Sequence, residues 1–462
     1  MHVRAWMAVL VIECIGACVL TLLCRDLRRW TMAGRLGMSF GLGLAVLTLS
    51  MFIVSLAGLR PVWWFGVVEL CALAGAAAWG RRRGCSDWWH VAPCETSPRR
   101  AGRARLLEGI VNVVAVLFIT TTILLASAVA LREPAVEWDI VSIWMVKAKV
   151  LLHEPVLTST YFQDVGAAYS HLDYPLLWPA AMAWVWAFTG ASDPVTIKVL
   201  GPAVLCALGA SLYGFLRRCT DVRGSLLFTA LLVGVPMVLS HAVRLRPEVI
   251  LSLYVLGSFA CAYLWLRERH GDDLRLAGFF AAGMMFTKNE GAGLFVILIV
   301  LVGVAVVVRR RPRERIEALV HGLIVPVALT VAWFAFRASI PKVHENYLER
   351  IRLSVLEKNI TRVPEVFTAS WQFFTDLRSW FIFWPLLAVV TIGTVRWWIR
   401  DTAWILVAAI VLALGMYGLT YVVTPWDLGE QMEVSANRLL LQLAPLCALI
   451  MAVQVRLGRL DP

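Results

Sequence analysis

The sequence predicts an all-α polytopic membrane protein, and three observations carry that prediction. The 462 residues are 60% hydrophobic and only 16% charged, with a mean hydropathy of +0.74. A soluble domain has about 25% charged and about 45–50% apolar residues. The apolar residues fall in runs of about 20, the length that crosses a bilayer as a helix. Arginine clusters recur in alternate loops, the pattern of basic loops retained on the cytoplasmic side. Disorder, collagen and disulfide scaffolds are excluded by the same composition. The net charge of +12 is therefore read as topology rather than as a nucleic-acid surface.

The runs predict about thirteen spans, at 5–23, 36–58, 62–80, 110–131, 192–216, 225–240, 249–266, 275–287, 290–308, 318–336, 379–395, 403–423 and 437–454. The first follows Arg4, is interrupted by Glu13, and reads as an uncleaved first helix. The short runs 275–287 and 290–308 read as a hairpin joined by Thr287-Lys288-Asn289-Glu290-Gly291. One set of alternate loops, from Arg25–Arg35 through to Arg456 and Arg459, holds 26 of the 43 Lys and Arg residues. Those loops go inside. Segments 132–174, 241–248, 287–291, 337–378 and 424–436 then go outside, with the N-terminus out and the C-terminus in. The run 174–190 is long enough to cross, but crossing would put Arg217 and Arg223 outside. It is therefore expected as a juxtamembrane or re-entrant segment whose Trp residues sit at the headgroup level. Residues 1–109 read as a three-helix membrane extension with an Arg-rich cytoplasmic loop, and 110–462 as the main module.

Most of the ten Cys (Cys14, Cys18, Cys71, Cys206, Cys261 and Cys447 among them) lie in apolar runs, and none makes a zinc or CxxC spacing. They read as small apolar residues; Cys85 and Cys94 flank a Trp-rich loop. No internal repeat, P-loop or dinucleotide fingerprint is present.

The external segments hold the varied polar residues, and a charge beside apolar helices is costly unless it is paired or hydrated. Glu137-Trp138-Asp139 places two carboxylates together. Such a pair can hold a divalent cation such as Mg or Mn, supply a general base, or leave Asp139 capping the next helix. In the helix 140–152, Ile140, Trp144, Lys147 and Leu151 share a face, and Lys149 points the opposite way. That favours Lys147, beside Trp144, as a phosphate ligand over a pair of snorkelling lysines. His171-Leu172-Asp173-Tyr174-Pro175 turns the chain back, with His171 either orienting a ligand or capping the turn. His241-Ala242-Val243-Arg244-Leu245-Arg246-Pro247-Glu248 breaks the arginine-inside pattern, which an anionic ligand or an internal Arg–Glu pair would explain. Lys288, with Asn289 and Glu290, sits at the hairpin tip, either binding an anion or contacting Glu290. Segment 337–378 (Lys342, His344, Glu345, Tyr347, Arg350, Arg352, Lys358) reads as amphipathic helix on the membrane. Asn359-Ile360-Thr361 is formally a glycosylation acceptor. Asp427, Glu430, Glu433 and Arg438 lie at the outer end of the last span.

These motifs together resemble the GT-C superfamily of polytopic glycosyltransferases, which includes protein O-mannosyltransferases and the aminoarabinose transferases of lipid A. The likeness is greatest to uncharacterised bacterial members. It is carried by E-W-D with W-x-x-K-A-K (Glu137 to Lys149), H-x-D-Y-P-L-L-x-P (His171 to Pro179) and T-K-N-E-G (Thr287 to Gly291). A tail from Thr424 to Gln442 adds to it, so that the likeness spans roughly 110–445. It implies a GT-C-like bundle of about 13 helices. It further implies sugar transfer, with inversion, from a polyprenyl-phosphate-linked donor to a glycan, lipid or protein acceptor. The site would face the periplasm or exterior of a bacterial inner membrane. By the resemblance, Asp139 is the catalytic carboxylate and Glu137 its neighbour. Lys147, Arg246 and Lys288, with Arg244, hold the donor phosphate. Trp144, His171, Asp173, Tyr174, Asn289, Glu290, Asp427 and Arg438 support them. Glu248 stands where many relatives have Asp, as a metal or acceptor ligand, and the His that relatives often carry near Gln431 is missing. A lipid-linked glycan flippase and a glycan polymerase or ligase are the alternatives.

Overall fold

The computed structural model describes residues 2–82, 88, 102–309, 312–341, 347–398 and 402–460. Cys85, Cys94, Lys342, His344 and Glu345 lie outside them. The described residues contain helices and no strand. The helices that build the bundle are α1 (His2–Leu23), α2 (Met32–Leu56), α3 (Trp63–Arg82), α4 (Gly102–Arg132), α5 (Val146–His153), α6 (Leu177–Thr189), α7 (Leu200–Cys219), α8 (Val222–Val233), α9 (Pro236–Val243), α10 (Pro247–Glu268), α11 (Gly271–Thr287) and α12 (Asn289–Arg309). Then come α13 (Pro312–Ser339), α14 (Arg362–Thr375), α15 (Phe383–Gly393), α16 (Trp404–Val423) and α17 (Leu428–Leu460).

Among the described residues ten helices are long and apolar enough to cross a membrane, or eleven if the bent pair α8–α9 is one span. The protein is thus a helical membrane protein by length and composition. The runs expected at 275–287 and 379–395 are the difference from thirteen. The first is α11, which has 17 residues and opens on Asp272 and Asp273. The second is reduced to the 11 residues of α15. The run 225–240 is broken by a 61° bend at Pro236, which holds Val235 in an extended conformation (φ −67°, ψ 122°).

The segment 174–190 departs from its interfacial expectation. Its helix α6 has 13 residues, about 20 Å of rise, and is too short to span. Its Trp178, Trp184 and Trp186 are buried in protein. Each indole N–H donates to a carbonyl: Trp178 to Leu245, Trp184 to Ala8 and Trp186 to Asp193, at 2.8–3.0 Å. A buried indole needs such an acceptor, and the protein core supplies it here in place of the headgroups.

At the centre stands α10, packed on α7, α11 and α17. The first helices belong to the same packing. Gly16 of α1 and Gly43 of α2 let two backbones meet: a Cβ at Gly16 would lie 1.7 Å from Ser39 O, and one at Gly43 1.9 Å from Ile12 O. Small residues permit this kind of close crossing. Tyr254 of α10 donates to Gly41 O of α2 at 2.9 Å.

Candidate functional site

The sequence puts acids and bases at the two ends of α10 and nothing charged between Glu248 and Arg267. Twenty residues of helix separate Glu248 from Glu268, about 30 Å. One end gathers the candidate site.

Glu137 and Asp139 follow α4. Asp139 does not cap the turn after it. Its Oδ2 instead lies 2.6 Å from Arg438 Nη1 on α17. Glu137 takes two guanidinium groups, Arg244 Nε on Oε1 at 3.2 Å and Arg246 Nε on Oε2 at 2.9 Å. The residue between those arginines, Leu245, is left-handed (φ 65°), a rare state for a branched side chain. The bond from Trp178 to the Leu245 carbonyl fixes this turn, and the turn aims both arginines at one carboxylate.

Lys288 sits between α11 and α12 and is 3.0 Å from both Glu248 Oε1 and Glu290 Oε1. Burial works against its charge, but Glu248 and Glu290 outweigh it and raise its pKa above the ordinary lysine value. Gly291 makes the tight hairpin possible, since a Cβ there would fall 1.9 Å from Met284 O. On the far side of Glu248, His241 Nδ1 approaches Oε2 at 3.6 Å. Arg438 lies within electrostatic reach of both His241 and Glu248, which ties the groups into one centre. Among the described residues four buried polar atoms there meet no hydrogen-bond partner: Arg438 Nε, Glu248 Oε2, His241 Nδ1 and Asn289 Oδ1.

The His171–Tyr174 turn forms a second layer. Asp173 Oδ2 accepts from Asn289 Nδ2 and Arg337 Nη2, both at 3.1 Å. His171 is left-handed (φ 51°) and stacks on Tyr174 with ring centres 4.5 Å apart.

Lys147 departs from the expected phosphate ligand. It is fully buried, its ammonium donates to the His171 carbonyl at 2.5 Å, and it faces the rings of Trp144 and Tyr174. Burial pushes its pKa down to about 7, against the opposing pull of Asp173. The helical face expected for 140–152 is present all the same: Ile140, Trp144, Lys147 and Leu151 are buried and Lys149 is exposed. A π-helical turn, Ile140–Met145, leads into it. Asp427 also stands apart from the centre. Its Oδ1 accepts from the Glu430 amide at 3.0 Å, which caps α17.

Among the described residues no three His, Cys, Asp or Glu side chains come together as metal ligands. Glu137 and Asp139 face guanidinium groups instead, so the residues present do not fit a divalent cation.

Beside the centre runs an apolar groove of about 620 Å³ between α14, α16 and α17. Ala436, Leu439 and Leu440 of its wall flank Arg438 in sequence, and Tyr417 and Tyr421 of its wall feel the charge of Glu290. Phe367 and Trp371 of α14 line it and are also exposed, in keeping with an amphipathic helix at a membrane surface. The segment before α14 is tied to the end of α16: Arg350, Asn359 and Arg362 donate to the carbonyls of Val423, Val422 and Thr424. Asn359, formally a glycosylation acceptor, is thus engaged within the fold.

Sequence reasoning missed Arg337 as a partner of Asp173 and undervalued Arg438. Arg337 ends a predicted span and breaks the arginine-inside pattern as Arg244 does, a signal that was available. Comparison with protein-family models, with curated proteins and with solved structures finds no match.

Proposed function

We propose that the protein is a GT-C-type glycosyltransferase that moves a sugar from a polyprenyl-phosphate-linked donor to an acceptor on the outer face of a bacterial inner membrane. One observation carries this reading. Arg244, Arg246 and Arg438 meet the carboxylates Glu137 and Asp139, and Lys288 with Glu248 and Arg337 with Asp173 adjoin them, beside an apolar groove. That combination suits a ligand with an anionic head and a long apolar tail.

The chemistry is a single displacement. Asp139 takes the proton of an acceptor hydroxyl as its oxygen attacks the anomeric carbon. The bond from that carbon to the phosphate oxygen breaks, and the phosphate leaves with the electron pair. Cations placed where that charge develops stabilise the transition state, and one displacement inverts the anomeric centre. The isoprenoid tail lies in the groove between α14, α16 and α17. Arg246, Arg438 and Lys288 take the phosphate, while Lys147 holds the His171 turn from behind.

A flippase would need polar groups along the membrane thickness. The stretches of α7, α10, α11 and α17 between their terminal charges contain no charged residue, which favours chemistry at one face. A polymerase or ligase would share the displacement and differ in its acceptor. The test is sugar transfer from a polyprenyl-phosphate donor by Asp139→Asn. General-base loss predicts a rate lower by about 10²–10⁴-fold with an unchanged melting temperature. Undiminished transfer would remove Asp139 from the mechanism.

A further inference from the structure

The two acids of the Glu137-Trp138-Asp139 motif are held differently. Glu137 takes two guanidinium groups, one on each oxygen. Among the described residues Asp139 has one cationic partner, Arg438, through a single oxygen. Losing one partner leaves Glu137 still paired, whereas Asp139 would be left bare.

Arg438 is itself incompletely used. A guanidinium presents five N–H donors in a planar fork and binds oxyanions best through two parallel bonds. Arg438 gives Nη1 to Asp139, while its Nε is buried without an acceptor. A buried donor left unmet costs about 1–3 kcal/mol. Both partners remain reachable, with about a quarter of each side chain exposed (22% and 25%). Glu248 Oε2 and His241 Nδ1, which face each other at 3.6 Å beyond hydrogen-bond distance, lie within electrostatic reach of this guanidinium.

We propose that Asp139 and the phosphate of the donor compete for Arg438, so that binding the donor strips Asp139 of the cation paired with it and frees its lone pair for the acceptor proton. The carboxylate stands in for the ligand until the ligand arrives. A phosphate can take Nη1 and Nη2 together, which one carboxylate oxygen does not. Acceptor activation is thereby tied to donor occupancy, and the base stays masked while the site is empty. The proposal rests on the transfer reading for its chemistry, but binding alone tests it.

The experiment is a double-mutant cycle on the full chain in detergent, titrating farnesyl phosphate and, separately, inorganic phosphate. Competition predicts that Asp139→Asn binds the probe about 10-fold tighter and Arg438→Gln about 10-fold weaker, the worth of one charge-assisted hydrogen bond. In the double variant the gain from Asp139→Asn disappears. Arg438→Lys, which keeps the charge, retains part of the gain and guards against misfolding of the Gln variant. A cycle seen with either probe supports the proposal, inorganic phosphate showing that the head group suffices and farnesyl phosphate alone that the tail is needed. No gain in Asp139→Asn, or an equal gain with Arg438→Gln in place, overturns it. A cycle without any sugar transfer would keep the competition and refute the transferase reading. Transfer without a cycle would do the reverse.

Discussion

The central helix α10 carries an acid at each end, and the two ends treat their charges in opposite ways. At the Glu268 end, Arg218 grips Asp273 with both prongs, at 2.6 and 2.8 Å, and Glu268 at 2.5 Å. It also lies over the Trp30 ring. Asp273 is sealed from solvent and Arg218 is nearly so. Arg275 and the backbone amide of Arg25 hold Asp272, and Arg456 of α17 donates to Cys219 O. Here the arginines expected only to orient the helices also clamp α7, α10 and α11 together. At the Glu248 end Lys288 and Glu248 are also buried, but the outer pairs, Arg438 with Asp139 and Arg244 and Arg246 with Glu137, are single-pronged and partly exposed. The same residue types build a fastening when geometry is complete and a receptive site when it is not.

The largest effect tests the fastening. Arg218→Leu leaves Asp273 buried without its main partner, which costs about 3–5 kcal/mol and should appear as a large fall in the melting temperature of the detergent-solubilised protein. Arg438→Gln should cost less than about 1 kcal/mol, because Asp139 reaches water. Equal losses at the two ends would dissolve the distinction.

A second effect sharpens it through pH. Lys147 titrates near pH 7 in the folded protein against an ordinary value of 10.5. Between those values the unfolded chain holds a proton that the folded one has released, so stability rises with pH across that window. Below about pH 7 the folded protein bears the whole cost of the buried charge. Replacement with Met should flatten the rise and stabilise the protein at neutral pH by an amount on the order of a few kcal/mol. A wild-type melting curve that is level from pH 7 to 10 would refute this assignment.

The smallest effect concerns the groove. Leu440→Trp narrows it and should raise the KM for a long-chain donor about 10-fold, as lost apolar burial of one or two methylenes would. A short-chain donor should be unaffected. An identical change for both chain lengths would place the tail elsewhere.

Much of the fold was legible from the sequence because its cause is local. A run of apolar residues states a helix, and repeated arginines state which loops share a side. The Glu137 and Arg246 motifs were legible as candidates for the same reason. Their partners were not, since Glu137 and Arg246 are 109 residues apart and no period in the chain connects Asp139 to Arg438. The acids Glu268, Asp272 and Asp273 lie among Arg267, Arg269 and Arg275, and acids amid arginines are a signal for an internal clamp. Lys147 was misplaced for another reason. Periodicity gave its buried face, but only packing showed that this face meets a carbonyl rather than the open centre. The tryptophans of α6 failed similarly, because composition cannot tell a headgroup layer from a protein core that offers carbonyl acceptors.

The contacts of α2 set a problem of timing during synthesis. Its Gly41 carbonyl waits for Tyr254, its Ser55 hydroxyl for the amide of Val156, and its Gly37 surface for Ser211. Those partners emerge from the ribosome about 100 to 200 residues later, at the 5–20 residues per second of translation. For many seconds the nascent α1–α2 pair has only its own glycine crossing and the neighbouring α3, where Glu69 accepts from Ser50, to hold it together. That crossing is therefore the first helix–helix contact the chain can make, and substitution of Gly16 or Gly43 would act on assembly in the membrane before the central helices have arrived.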